Sequence, residues 1–265
     1  MFDIVTRARG SMAALPTPYR FGKVDIEALE KLCERLIAHG TSALVPCGTT
    51  GEAPLLTPDE HRLVIARTVA AAAGRAPVIA GAGSNNTQTA IELAQAAEKA
   101  GASALLCVTP FYLKPSQSGL VGHFKAIHDA VGVPLILYDV PSRTGCALAD
   151  VTVRRLADLP RVLGLKDATG NIPRVPRLRA GWAITSCSCP ATTRPRRSFV
   201  WLVATAAFRS RRMSLLLCVP LSIAPVMRAI PTRLRVSSGS WHHCTPRSFS
   251  KPIRSRSNGR CTASA

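Results

Sequence analysis

The sequence predicts an α/β protein whose parallel sheet closes as a (β/α)8 barrel, and three observations carry that prediction. Short apolar runs alternate with helix-patterned stretches at intervals of about 30 residues, the length of a strand–helix unit. The runs are apolar throughout rather than alternating, as strands covered on both faces must be. Polar and reactive residues collect just after the end of one run after another, and in a barrel those ends converge on one mouth.

The runs are residues 12–15, 43–46, 77–80, 104–108, 134–138 and 162–166. Between the first two, residues 25–39 place Ile26, Leu29, Leu32, Leu36 and Ile37 on one helical face with Gly40 as the stop. Thr57, Pro58, Asp59 and Glu60 open a second helix as N-cap, proline at the first position and an acidic first turn. Thr87 reads as the N-cap of a third, running through Lys99 and ended by Gly101. Alternation by itself fits an open doubly wound sheet equally well. The polar clusters choose the barrel: Thr17 and Pro18, then 48–52, 81–86, 109–112, 138–144 and 166–169.

The 265 residues fit one barrel of about 250 residues. With 47% hydrophobic residues, no apolar run reaches the ~18 to 20 residues that cross a bilayer, so no membrane segment is expected. Arg7 and Arg9 are followed by no secretory-type apolar stretch, which predicts a cytoplasmic protein. Nine cysteines without a regular framework read as free thiols. The net charge of +19 suggests a nucleic-acid binder until its distribution is read: residues 1–180 hold all 15 acids and 20 of the 34 Lys and Arg, and 181–265 hold the other 14 and no acid. Two compositions are joined end to end. Residues 1–181 carry strands one to six of the barrel, and 182–265 form an Arg/Ser/Pro-rich segment.

Lys166 closes the last apolar run. A buried ammonium is costly, desolvation lowers its pKa, and the neutral amine is the form that attacks a ketone. Such chemistry needs protons moved at the new C–N bond, and Tyr138 at a neighbouring strand end can move them. Its phenol, ordinarily near pKa 10, needs a relay hydroxyl or a nearby cation, and Thr49 can supply the hydroxyl. The small residues Gly48, Thr49, Thr50 and Gly51 leave backbone N–H groups free for a carboxylate. From position alone, Lys166 reads equally as a salt-bridged strand-end lysine, and 48–52 as an ordinary turn.

Four motifs lie in one order: Gly48-Thr49-Thr50-Gly51-Glu52; Tyr112 within Pro110-Phe111-Tyr112-Leu113-Lys114-Pro115; Leu137-Tyr138-Asp139-Val140-Pro141-Ser142-Arg143-Thr144-Gly145; and Gly164-Leu165-Lys166-Asp167-Ala168. In order and spacing they resemble the dihydrodipicolinate synthase (4-hydroxy-tetrahydrodipicolinate synthase) family of the pyruvate-dependent class I aldolase superfamily. The likeness covers about residues 8–181 and implies a TIM barrel of the class I aldolase type. It implies that Lys166 forms a Schiff base with pyruvate, that Tyr138 transfers protons through Thr49, and that Tyr112 completes the relay from a neighbouring subunit of a homodimer or homotetramer. Thr50 and Gly48 would hold the pyruvate carboxylate, and Arg143 the carboxylate of aspartate 4-semialdehyde. No metal or cofactor is implied beyond the covalent imine. Asp139 departs from the family, where Asn is the commoner residue. His61 and Asn85 match the family's lysine-effector positions, whereas Thr89 stands in place of a Glu and Phe111 in place of a Tyr, so weak or absent lysine inhibition is expected. Alternatives are another Schiff-base aldolase, of the sugar-acid or sialic-acid type, and an inactive barrel with a basic tail.

Two further strand–helix units are due between about residues 183 and 215, and the sequence there does not supply their pattern: strands seven and eight and the C-terminal helices read as lost or garbled. The absence of acids removes the usual caps and first turns of helices, and an out-of-frame translation from about residue 181 explains the change of composition. The tail's arginines would bind nucleic acid only nonspecifically. Cys187-x-Cys189 and His242-His243-Cys244 lack the spacing of a zinc site. The two sheet edges are expected to lie open, although the apolar runs 199–208 and 215–219 could lie against them without an amphipathic pattern to specify it.

Overall fold

The computed structural model describes residues 4, 10–181, 199–202 and 215–218. Six of its strands coincide with the six apolar runs: β1 (Gly10–Ala14), β4 (Ala43–Val45), β5 (Ile79–Gly81), β6 (Ala104–Val108), β7 (Leu135–Asp139) and β8 (Val162–Asp167). A short hairpin of β2 (Tyr19–Arg20) and β3 (Lys23–Val24) lies between the first two. Its two-residue turn, Phe21 and Gly22, has φ of 51° and 77°, which suits such a hairpin; two-residue strands leave no periodicity to read in advance.

β1 pairs in parallel with β4, a parallel bridge joins Leu44 to Val78 at the head of β5, and β5, β6, β7 and β8 follow as parallel neighbours. The chain returns between strands through α1 (Ile26–Ala38), α2 (Pro58–Ala72), α3 (Thr87–Lys99), α4 (Gln117–Ala130) and α6 (Asp150–Ala157). A single turn, α5 (Pro141–Thr144), follows β7, and α7 (Arg174–Gly181) follows β8. Thr57 caps α2 as the sequence predicts, in a full capping box with Glu60. The expected cap of α3 is corrected by one residue: Asn86, not Thr87, accepts from the N–H of Thr89, at 3.1 Å. An asparagine side-chain oxygen caps as well as a hydroxyl does, and with Asn86 outside the helix Thr87 becomes its first residue.

Alternate strand residues serve two cores. Leu44, Leu105, Leu137 and Leu165 face the helices, packing with Leu29, Ile65, Phe124 and Leu156. Met12, Val45, Ile79, Leu106, Ile136 and Tyr138 fill the interior of the ring. Burial on both faces is why the runs contain no polar alternation.

Beyond Gly181 two short strands are described. β9 (Phe199–Leu202) adds in parallel to β8, and β10 (Leu215–Cys218) adds to β1 antiparallel. The expectation of two bare edges is therefore corrected: each carries a backbone partner. Pairing uses the N–H and C=O that almost every residue owns, so an apolar run suffices without amphipathic pattern. In a regular (β/α)8 ring the eighth strand runs parallel to the first; β10 runs the other way. Both strands belong to a compact unit spanning Met1–Leu221. The remaining residues, including Cys187, Cys189, His242, His243 and Cys244, and most of the segment read as out of frame, lie outside the described residues.

Among the described residues, Cys33, Cys47, Cys107 and Cys146 are free thiols. No described helix is long and apolar enough to cross a membrane, and no group of three His, Cys, Asp or Glu among them is placed to hold a metal ion.

Candidate active site

Lys166 and Tyr138 are ladder partners on β8 and β7. The ladder pairs Leu135 with Val162 and then Ile136 with Gly164, so Leu163 is an extra residue. This irregularity re-aims the side chains beyond it and sets Lys166 beside Tyr138 on the inner face. The two side chains are each 7% exposed, and Lys166 Nζ lies 4.2 Å from the centre of the Tyr138 ring. No carboxylate pairs with this amine among the described residues. Burial without a counter-ion brings its pKa down to about 8, so a sizeable neutral fraction exists near physiological pH.

The loop after β4 forms the facing wall. Cys47 takes φ of 52°, Gly51 closes a short helical turn over Thr49–Gly51 by donating to the Gly48 carbonyl, and the Thr17 hydroxyl donates to the Gly51 carbonyl at 2.7 Å. Gly81, at the end of β5, packs its backbone against this loop: a Cβ there would stand 1.9 Å from the Cys47 carbonyl oxygen. Only glycine permits that approach. On the other side, Val140 leads into α5, which Gly145 ends with φ of 76°, and this one turn carries Arg143 to the mouth.

A cavity of about 320 Å³ opens between these walls, lined by Gly48, Thr49, Gly81, Tyr138, Arg143 and Thr144 together with the apolar Ala53, Val108 and Phe111. The structure thus gathers Gly48, Thr49, Tyr138 and Arg143 around one space, with Lys166 against the Tyr138 ring. It does not bring in the other two. Thr50 is exposed and off the cavity wall, and Tyr112 is 84% exposed with φ of 73°. Nor is the expected relay contact made within this chain: the exposed Thr49 has no hydrogen bond to Tyr138 among the described residues. Of the effector positions, His61 is buried, its Nε2 2.8 Å from the Gly81 carbonyl, while Thr89 is exposed and Phe111 lines the cavity.

Two features escape sequence reasoning. Thr109 donates to the Thr144 hydroxyl at 3.2 Å, tying the end of β6 to α5. Arg174 is buried among Asp139, Asp150 and Asp167. The one available sign is that Arg174 opens α7 with no acid in its first turn, against the helix dipole; a cation so placed is held by something other than its helix.

Residues 7–183 match the family model of the dihydrodipicolinate synthetase family. The 4-hydroxy-tetrahydrodipicolinate synthase of Roseobacter denitrificans is 54% identical over 167 residues, 63% of this chain and 57% of that protein. Among solved structures, the chloride-inhibited dihydrodipicolinate synthase from Acinetobacter baumannii, complexed with pyruvate, superposes with a TM-score of 0.65 at 49% identity, over 66% of this chain and 60% of that one. The enzyme from Cyanidioschyzon merolae with lysine bound gives 0.64 at 37% identity, over 66% and 60%. The chain spans about three fifths of the length of the curated relatives it matches.

Proposed function

The chain belongs to the dihydrodipicolinate synthetase family, and on that premise we propose that it is a Schiff-base lyase condensing pyruvate with L-aspartate 4-semialdehyde to 4-hydroxy-tetrahydrodipicolinate, on the route to lysine and diaminopimelate. The observation that carries the reading is the buried amine of Lys166 against the Tyr138 phenol, at the border of a cavity that also holds Arg143.

Neutral Lys166 Nζ attacks the ketone carbon of pyruvate, and Tyr138 supplies the proton with which the carbinolamine loses water. The resulting imine yields a methyl proton to become the enamine, whose carbon attacks the aldehyde of the second substrate. The amine of that adduct then displaces Lys166, closing a six-membered ring and releasing the lysine for another cycle. Arg143 offers a planar fork to the second carboxylate, and the backbone of the turn that borders the cavity at Gly48 and Thr49 an anion-binding turn for the first. On this reading the working state is a homodimer or homotetramer in which Thr49 and the Tyr112 of a second copy complete the relay; the exposure of Tyr112 on its own chain supports it. On this reading no metal or dissociable cofactor enters, and the reaction takes place in the cytoplasm.

Borohydride reduction with pyruvate tests this reading. Reduced pyruvate on the peptide containing Lys166 supports it; an unmodified peptide overturns it in favour of an inactive barrel. Resequencing the coding DNA near codon 181 tests the origin of the tail, where an uninterrupted frame refutes the out-of-frame explanation. Lysine added to an active preparation is expected to inhibit weakly or not at all, because Thr89 cannot pair with the effector's ammonium as a Glu would; clear inhibition at sub-millimolar lysine refutes this.

A further inference from the structure

On the outer side of β7 and β8, the guanidinium of Arg174, 4% exposed, reaches three carboxylates. Nη1 donates to Asp139 Oδ2 at 2.7 Å and to Asp167 Oδ2 at 3.0 Å, Nε donates to Asp150 Oδ1 at 2.9 Å, and Nη2 donates to the Leu148 carbonyl. Asp139 and Asp167 are themselves ladder partners, one step beyond Tyr138 and Lys166. Each aspartate thus directly follows one member of the reactive pair and, by strand alternation, turns to the opposite face.

We infer that Arg174 is a positioning residue: by joining the carboxylates of Asp139 and Asp167 it holds the ends of β7 and β8 in register and so sets Tyr138 against Lys166. Like charges directly opposite on neighbouring strands repel, and here both are buried. Without a cation between them the two strand ends would part at the position where the chemistry needs them fixed. The ladder is a poor guarantor of the pairing, since its register already shifts between Leu135 and Ile136 and a slip of one residue turns a side chain to the other face. Past the aspartates the main-chain tie is the Ala168 N–H to the Asp139 carbonyl, at 2.9 Å. The bridge also anchors the segment after β7, because the Leu148 N–H donates to Asp139 Oδ2 at 3.2 Å. Asp139 Oδ1 has no partner among the described residues; burial pushes this carboxyl above its usual range and the Arg174 bond opposes that rise. Arg174 is therefore what makes an aspartate tolerable at a position where the family more often has Asn.

The catalytic consequence rests on the imine-forming reading; the clamp does not. The test is Arg174→Met in the full chain, read by amide hydrogen exchange and by borohydride trapping of pyruvate. The Ala168 and Leu148 amides are expected to exchange at least about tenfold faster while those of α2 and α3 keep their protection. The trapping rate at saturating pyruvate is expected to fall about tenfold, with half-saturating pyruvate changed by no more than about twofold, as loss of alignment rather than of binding requires. Unchanged exchange at Ala168 and Leu148 in the folded variant overturns the inference, and so does loss of protection throughout the barrel, which marks a purely structural residue. Selective exchange in a protein whose parent traps no pyruvate supports the clamp while refuting the reaction. Should the methionine variant not fold, Arg174→Lys keeps the charge and loses the fork, and the same two amides should respond with smaller changes; no response there overturns the inference as well.

Discussion

Lys166 Nζ stands 4.2 Å from the centre of the Tyr138 ring, at paired positions on adjacent parallel strands. Two opposing effects meet in this contact. An aromatic face favours the ammonium, and removal from water disfavours it. Burial wins, because the amine has no carboxylate partner among the described residues and its pKa comes down to about 8.

The rate of imine trapping should follow the neutral amine. It is expected to climb as pH rises toward about 8 and to level off above it, whereas Lys166→Arg should trap nothing at any pH because a guanidinium does not deprotonate. A pyruvate-trapping profile that is flat from mildly acidic to mildly alkaline pH contradicts the assignment of Lys166.

The same burial makes Lys166 costly to the fold. Its folded-state pKa lies below the unfolded value, so the penalty is fully present below about pH 8 and is relieved as pH rises toward the ordinary lysine value. Lys166→Met should therefore be more stable than the parent at neutral pH, by on the order of 2 kcal/mol, with the difference shrinking in alkali. Denaturant midpoints of the two proteins at neutral and alkaline pH measure it, and a less stable methionine variant refutes it.

Gly81→Ala should be severely destabilising, by about 3 kcal/mol or more. The added Cβ meets backbone, the Cys47 carbonyl oxygen at 1.9 Å, which has no rotamer by which to retreat. Thermal unfolding decides: a shift of only a degree or two means that the loop after β4 yields more easily than its packing suggests.

Arg143→Ala should separate the two substrates. Arg143 borders the cavity from α5, whereas Lys166 is carried by β8, so pyruvate trapping should persist. The value of kcat/KM for aspartate 4-semialdehyde should fall about 100-fold, as expected for losing a charge-assisted pair. Equal loss in both assays would give Arg143 a role in pyruvate binding, and no loss in either would favour a sugar-acid aldolase.

Six of the eight strands of residues 1–181 and the motifs around the cavity were legible because both-face burial writes itself into composition: a strand such as 104–108 has no solvent side and so no polar residue. Lys166 was legible for the converse reason, as a charge closing such a strand. The hairpin at residues 19–24 was too short to leave a period. Asn86 displaced Thr87 as a cap because both residues cap well and only backbone angles separate them. Arg174 was hidden because its three carboxylates lie 7, 24 and 35 residues away, and neither periodicity nor motif spacing reports a contact made through the sheet.

By itself, then, the sequence determined the α/β class, the strand positions, the lysine buried at a strand end and the break in composition after residue 181, all of which are local or repeat along the chain. The tertiary structure decided which motif residues share a cavity, leaving Thr50 and Tyr112 outside it, and that β10 runs antiparallel to β1. It also decided that Arg174 ties together the strand ends bearing Tyr138 and Lys166. These are relations between distant segments, set by packing and by the pairing of backbone groups and buried charges that composition does not encode.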